Sequence, residues 1–144
     1  MRRYFYFLVL ALITIACSSD DVARRNPFLP EVNVNFQIDL NLPQYSDLKF
    51  SGNHVIETTA GRGIKGIIIY SKGNSQFSAF ELSDPNIPIS DCSPLSVTGI
   101  LASSNCGNDN VYNIVTGIQT KGEGGYPLLR YTIRAEGNTL FITN

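Results

Sequence analysis

The sequence predicts an all-β protein with a single domain. Three observations support this: one segment alternates strictly between apolar and polar residues, two segments have the composition of β-hairpins, and no segment carries apolar residues at helical spacing. The chain has 144 residues, of which 43% are hydrophobic and 16% are charged. This composition suits one domain with a hydrophobic core, and it argues against a disordered or coiled-coil protein.

The alternating segment is EVNVNFQIDLNL, residues 31–42. Its apolar side chains point to one face of a strand and its polar side chains to the other, as in an antiparallel strand with one buried face. The residues predicted to point inward are Val32, Val34, Phe36, Ile38, Leu40 and Leu42.

The two predicted hairpins follow later in the chain. KGIIIYSKGNSQFSAFEL contains two β-rich runs around Lys72-Gly73-Asn74, and LLRYTIRAEGNTLFITN contains two more around Glu136-Gly137-Asn138. Gly and Asn are typical of tight hairpin turns because they tolerate positive φ angles. Between the hairpins lie short apolar pieces, LSVTGILA and NVYNIVTGI, in stretches punctuated by Gly and Pro.

The amino terminus has the pattern of a secretory signal. Two arginines precede an apolar run that ends at Ile15, and the small residue Ala16 stands before Cys17. The run is shorter than the roughly 20 apolar residues of a membrane-spanning helix. We therefore expect residues 1–16 to be a cleaved signal peptide, residues 17–30 a solvated tether, and residues 31–144 the β domain.

The sequence TIAC followed by SSDD resembles the lipobox of a bacterial lipoprotein, although Thr14 stands where such boxes usually carry Leu. The resemblance implies that Cys17 is lipidated, and that the mature chain is anchored to the membrane without crossing it. The acidic residues after Cys17 resemble the export signal of Bacteroidetes surface lipoproteins. The expected location is the bacterial outer membrane, with the domain facing the periplasm or the cell exterior.

The charge of the mature chain excludes one class of function. Cleavage before Cys17 leaves nine basic and twelve acidic residues, a formal net charge of −3. Beyond Arg24-Arg25 there is no cluster of basic residues. Binding to a phosphate backbone needs several neutralising contacts, so we expect no nucleic-acid partner.

Residues 31–144 resemble the Rieske domain family. GIIIYSKGNSQFSAFE is similar to the hairpin that leads into the first cluster loop, and CGNDNVYNIVTG is similar to the His-Gly-Ser stretch of the second. GEGGYPLLRYTIRAEGNTLFI resembles the Gly-Pro-rich loop and the final hairpin. The combination is similar to the Rieske-like lipoproteins of Bacteroidetes, and it implies an antiparallel β sandwich with long loops.

The family holds a [2Fe-2S] cluster through Cys-x-His in one loop and Cys-x-x-His in the other. The resemblance places Asp84 and Asn86 at the first pair of ligand positions, and Ser103 and Cys106 at the second. None of the four is the family's ligand. The chain has only one histidine, His54, and three cysteines, so we expect no cluster and no other cofactor.

Cys92 and Cys106 remain once Cys17 is assigned to lipid. Two cysteines in neighbouring loops of an exported domain predict a disulfide, and two reduced buried thiols are the alternative. Rieske proteins of respiratory complexes carry a bridge between the same two loops, with its cysteines at other positions.

Other candidate sites have simpler interpretations. Asp84, Asn86, Asp91 and Asp109 offer oxygen ligands without the spacing of a calcium loop, and a solvated loop is the expected structure. His54, near Glu57, lacks a nucleophile motif and is expected to be a surface residue. TAGRGIKG lacks the spacing of a phosphate-binding loop and is expected to form a turn. GEGGYP is expected to be a structural loop with an exposed Tyr126.

The hypothesis that these observations favour is a membrane-anchored, non-catalytic binding or assembly module with a degenerate Rieske-like domain. The alternatives are a Rieske [2Fe-2S] electron-transfer protein and a hydrolase that uses His54. For the binding module we expect the contact surface at the loops 84–92, 103–110 and 122–126, with the membrane and an envelope protein as partners.

Overall fold

The computed structural model describes residues 26–144, so the predicted signal peptide and most of the predicted tether lie outside the described residues. In this range the chain forms ten β-strands and one 3-10 helix, Pro43–Lys49. The strands are β1 (Asn35–Asp39), β2 (His54–Glu57), β3 (Ile67–Gly73), β4 (Gln76–Glu81), β5 (Ser96–Thr98), β6 (Leu101–Ser103), β7 (Val111–Asn113), β8 (Gln119–Lys121), β9 (Arg130–Glu136) and β10 (Thr139–Thr143).

The strands form two antiparallel sheets in one domain. The larger has six strands in the order β1-β10-β9-β4-β3-β2, and the smaller has four in the order β5-β6-β7-β8. In the larger sheet, β4 and β9 are paired through only two residue pairs, Ala79 with Tyr131 and Phe80 with Arg130. Side chains from both halves of this sheet share one core cluster, so the sheet curls around that core.

Strand β3 separates two hydrophobic cores. Ile67 and Ile69 belong to the core inside the curled sheet, whereas Ile68 and Tyr70 belong to the core between that sheet and the smaller one. All four side chains are buried. A strand that is buried on both faces needs apolar residues at successive positions, which explains the uninterrupted run Ile67 to Tyr70.

The predicted all-β class and both predicted hairpins are confirmed. β3 and β4 are joined by a turn in which Asn74 and Ser75 have φ angles of 51° and 57°. β9 and β10 pair from Glu136 opposite Thr139. The turn residues therefore set these hairpins as their chemistry predicts.

The alternating segment forms a shorter strand than predicted. Val34, Ile38 and Leu40 are buried, but Val32 and Phe36 are half-buried and Leu42 is 43% exposed. Pro43 occupies the first turn of the 3-10 helix, where a missing N–H costs nothing. This helix was not predicted, because it buries only Tyr45 and Leu48, a single pair at a spacing of three.

Packing against the domain begins before residue 31. Asn26 Nδ2 donates to the carbonyl oxygen of Pro85 at 2.7 Å, and Leu29 is buried. The ordered domain therefore includes at least five residues that the sequence analysis assigned to the tether. Among residues 26–144, no helix has the length and hydrophobicity to span a bilayer.

The strands define two ends of the domain. We call the end formed by the loops 82–95, 104–110 and 122–129 the tip; these loops follow β4, β6 and β8. We call the opposite end of the larger sheet the far end. It contains the β3–β4 and β9–β10 turns and the segment with Phe50, which leads to Gly52, where the backbone N donates to Ser71 O of β3 at 2.8 Å.

Candidate functional site

The tip contains a buried carboxylate held by four donors. Asp84 is 3% exposed. Its Oδ1 accepts a hydrogen bond from the Tyr112 hydroxyl at 2.5 Å and from the backbone amide Asn86 N, two residues later, at 3.0 Å. Its Oδ2 accepts from the side-chain amides of Asn110 at 3.1 Å and Asn108 at 3.2 Å. The contacts join the first tip loop to the second loop and to β7.

These contacts change the acidity of both partners. Burial alone raises the pKa of Asp84, but the hydrogen bonds from Tyr112, Asn86, Asn110 and Asn108 outweigh it, and the pKa of the carboxyl lies below its ordinary value. The pKa of Tyr112 is raised by its burial and by its hydrogen bond to Asp84. Asp84 is therefore a carboxylate and Tyr112 a neutral phenol at neutral pH.

Asn86 links the first loop to the third. Its Nδ2 donates to the Tyr112 hydroxyl and to the Tyr126 carbonyl oxygen, both at 2.9 Å, and its Oδ1 accepts from Tyr126 N at 3.0 Å. A Cβ atom at Gly124 would overlap the Asn86 side chain, and φ at this glycine is +110°. The glycine of GEGGYP thus allows the third loop to lie directly on Asn86.

Asn110 and Gln119 complete the network. Asn110 Oδ1 accepts hydrogen bonds from Gln119 Nε2 and from Glu123 N, each at 3.1 Å. Gln119 Oε1 in turn accepts from Gly125 N at 2.9 Å. All three loops of the tip are therefore held by side-chain amides around Asp84.

Two of the four positions that the resemblance equates with cluster ligands have other roles. Ser103 lies in β6 and pairs with Ser96 and Val111 in the smaller sheet. Cys106 forms a disulfide with Cys92, with a Cα–Cα distance of 5.3 Å, the pairing that the sequence predicts. The expectation of loosely solvated loops at Asp84 and Asn86 is wrong, because both side chains are fully engaged in the tip network.

The residues at the tip do not fit a [2Fe-2S] cluster. Such clusters are held by thiolates, or by thiolates and imidazoles. The tip offers a carboxylate and amides whose hydrogen bonds join one another, and the sulfur atoms of Cys92 and Cys106 are bonded together. His54 lies in β2, paired with Tyr70 on the body of the larger sheet.

The candidate oxygen ligands for calcium do not form a site either. Asp84 is saturated by N–H and O–H donors, and Asp109 pairs with Lys121 at 3.1 Å on the surface. Asp91 accepts from Ser90 Oγ at 2.7 Å. Within residues 26–144, no three His, Cys, Asp or Glu side chains are arranged to hold a metal ion.

A second buried carboxylate, Glu81, lies at the end of β4 just below the tip. It is fully buried and accepts from the backbone amides of Ile64, Lys65 and Ser83 at 2.8, 2.9 and 3.1 Å. The Tyr131 hydroxyl donates to it at 2.7 Å. The segment TAGRGIKG therefore does bind an anion through its backbone, and that anion is a carboxylate of the same chain.

A third buried carboxylate, Glu57, holds the 3-10 helix against β2. It accepts hydrogen bonds from the hydroxyl of Tyr45, from Arg62 Nη1 at 2.9 Å and from Thr59 N at 2.8 Å. Burial alone raises its pKa, but the hydrogen bonds from Thr59 and Tyr45 and the charge of Arg62 lower it to about 2. Glu57 is thus occupied by three partners other than His54.

Sequence analysis missed Glu57, Glu81, Asn108, Asn110, Tyr112 and Gln119 as functional or structural centres. Asp109 was expected in a solvated loop, because Asn and Asp commonly bond their own backbone. The only available signal was the density of amide side chains in the tip loops. It does not identify the residue around which they gather.

Comparison with known proteins gives structural likeness only. No protein-family model and no curated protein sequence matches the chain. A chain in the complex of reduced oxygenase and oxidized ferredoxin in carbazole 1,9a-dioxygenase is similar, with a TM-score of 0.48 at 16% identity, over 74% of this chain and 92% of that one. A putative nitrite reductase NADPH (small subunit) oxidoreductase protein is similar, with a TM-score of 0.43 at 13% identity, over 74% and 97%.

Proposed function

We propose that this protein is a lipid-anchored envelope lipoprotein whose domain is a degenerate, cluster-free relative of Rieske domains and acts as a non-catalytic binding or assembly module. One observation carries the proposal: the first pair of ligand-equivalent residues, Asp84 and Asn86, serves to hold the tip loops together. The polar atoms of these two side chains are already hydrogen-bonded within the tip, so they are not free to bind a metal cluster.

The chemistry of the donors supports the absence of redox function. Carboxylate and amide oxygens are hard ligands, whereas iron-sulfur clusters need soft thiolates. Displacing Tyr112, Asn108 and Asn110 from Asp84 would leave buried polar groups without partners, at roughly 1 to 3 kcal/mol for each. The sulfur of Cys106 is bonded to Cys92 and is therefore not available as a thiolate ligand. The tip is thus stable without a cofactor.

The anchor rests on the sequence alone. Cys17 follows a basic, apolar and small-residue pattern of the kind that precedes a lipidated cysteine. Two or three acyl chains give stable membrane attachment, because each buried methylene contributes roughly 0.8 kcal/mol. The partners of the module are then the membrane that holds it and an envelope protein, with no nucleic acid.

Electron transfer by a Rieske [2Fe-2S] cluster is the second candidate. It is favoured only by the residue-level resemblance of the loops and hairpins to that family. It requires ligands that positions 84, 86, 103 and 106 do not supply.

Two measurements test the proposed function. Mass spectrometry of the membrane-extracted protein should show a chain that begins at acylated Cys17, and a Cys17→Ser variant should not be acylated. An unmodified chain that retains Met1 would contradict the anchor. Crosslinking in intact cells, followed by capture of this protein, should recover one envelope protein that the Cys17→Ser variant does not recover.

A further inference from the structure

The anchor and the tip lie on the same side of the domain. Asn26, the first described residue, donates to the Pro85 carbonyl oxygen in the first tip loop, and its Oδ1 accepts from Phe28 N at 2.8 Å. The Phe28 ring makes an edge-on contact with Tyr126 of the third tip loop, with ring centroids 6.3 Å apart. The chain therefore enters the domain at the tip.

From the tip the chain runs towards the far end. β1 pairs with β10 in the register Asn35 with Thr143 and Asp39 with Thr139, so Asp39 lies near the β9–β10 turn. β4 runs from Gln76, at the β3–β4 turn of the far end, to Glu81 beside the tip. Phe50, which is 65% exposed, lies at the far end, two residues before Gly52, whose N donates to Ser71 O.

The length of the linker limits how the domain can face the membrane. Eight residues lie between Cys17 and Asn26, and the nine steps from one Cα atom to the next span at most about 30 Å when fully extended. A compact domain of this size has a radius of gyration near 13 to 14 Å, which corresponds to a diameter of about 35 Å. If the far end touched the bilayer, the linker would have to be fully extended along the whole length of the domain, which costs the conformational entropy of every linker residue.

We propose that the tip faces the bilayer that carries the anchor, with the rings of Tyr126 and Phe28 at the level of the lipid headgroups. The inference rests on the proposed lipidation of Cys17. Tyrosine favours such interfaces, because its ring is apolar and its hydroxyl is polar. Arg24 and Arg25, directly before Asn26, add attraction to anionic headgroups.

The same orientation presents the far end to the surroundings. Phe50 and the β3–β4 and β9–β10 turns then face away from the membrane. The surface loops predicted as the contact region therefore have the lipid bilayer as their partner. Exposed Asp91 and Glu123 at the tip keep this contact peripheral, since carboxylates do not enter the hydrocarbon region.

Tryptophan fluorescence tests this orientation directly, because the chain contains no tryptophan. The variants are Tyr126→Trp at the tip and Phe50→Trp at the far end, a matched pair of aromatic replacements. Each full-length variant is expressed, extracted as the lipoprotein and reconstituted into vesicles of phosphatidylcholine and phosphatidylglycerol, with and without brominated acyl chains. Glu123→Trp is a second tip probe in case Tyr126→Trp disturbs folding.

The tip probes should lose a clearly larger share of their emission in brominated vesicles than Phe50→Trp, most of all with bromine near the ester end of the acyl chain, and should shift to shorter wavelength, while Phe50→Trp should keep nearly all of its emission. Equal quenching of both ends, or stronger quenching of Phe50→Trp, would overturn the inference. So would tip probes that the brominated lipid does not quench.

A second arm separates this inference from the anchor itself. Cys17 is the one cysteine outside the disulfide, so a maleimide-linked phospholipid can be attached to the mature chain at that residue. If mass spectrometry finds no acyl chain on native Cys17, the proposed anchor fails. The chemically anchored protein still decides the orientation by the same quenching pattern.

Discussion

Glu81 and Asp84 are two buried carboxylates three residues apart, and they are stabilised in different ways. Glu81 accepts mainly from backbone amides, of Ile64, Lys65 and Ser83. Asp84 accepts mainly from side chains, of Tyr112, Asn108 and Asn110. The first arrangement depends on the path of the chain, whereas the second depends on residue identity. The tip can therefore change its chemistry by substitution while the body of the fold remains.

The largest effect is expected where the backbone supplies the donors. Glu81→Gln places an amide NH₂ group against backbone N–H donors that have no alternative partner. We expect the free energy of unfolding to fall by about 4 kcal/mol, measured by urea denaturation. Glu136→Gln is the control: Glu136 is 53% exposed and should change stability by less than about 0.5 kcal/mol. Similar losses of unfolding free energy in both variants would contradict the conclusion that Glu81 stabilises the fold through its hydrogen bonds to the backbone.

The disulfide contributes next. Replacing both Cys92 and Cys106 by Ser removes a crosslink that spans 14 residues, and the chain-entropy model predicts a loss of about 3 kcal/mol. The tip should nevertheless remain folded, because Asn105 Nδ2 still donates to Pro94 O and the Asp84 network still joins the two loops. Near-ultraviolet circular dichroism and the urea midpoint measure the two effects. A tip that loses its structure on this double substitution would show that the network is secondary to the bridge.

A double-mutant cycle tests the side-chain network. Asp84→Asn should lower the free energy of unfolding by about 2 kcal/mol, since its new NH₂ group faces the amide donors of Asn108 and Asn110. Tyr112→Phe should cost about 1 to 2 kcal/mol, and the double variant should lose less than the sum of the two. Strict additivity would mean that the Tyr112 hydrogen bond does not stabilise Asp84.

The pH dependence reports on Glu57. Its pKa is about 2 in the folded chain against an ordinary value of 4.5, so its contribution is fully present above pH 4.5 and is lost as pH falls towards 2. The native chain should have a larger free energy of unfolding than Glu57→Gln, and this difference should shrink by about 2 kcal/mol across this window. Urea unfolding at successive pH values measures it. Asp84, with its lowered pKa, adds a loss of the same sign in both proteins. If the difference in unfolding free energy stayed constant down to pH 2.5, the lowered pKa of Glu57 would be contradicted.

How much the sequence reveals differs between the body and the tip. The strands and hairpins could be predicted because alternation and turn residues are local signals. The disulfide could be predicted because two cysteines remain in a chain that is itself predicted to be exported. The 3-10 helix could not be predicted, because its two buried residues are too few to show a helical pattern of apolar residues. The carboxylates were missed because a polar residue at the end of a strand, such as Glu57 or Glu81, is ordinarily solvated. Only the loops that fold over it show that it is buried.

The proposed absence of an iron-sulfur cluster is tested most directly by the iron content of the protein after anaerobic reconstitution. The native chain should remain colourless and contain no stoichiometric iron. A Rieske protein with its four cluster ligands, reconstituted in parallel under the same conditions, provides the positive control. Two iron atoms per native chain, together with a Rieske-type electron paramagnetic resonance signal, would contradict the account and restore electron transfer as the function.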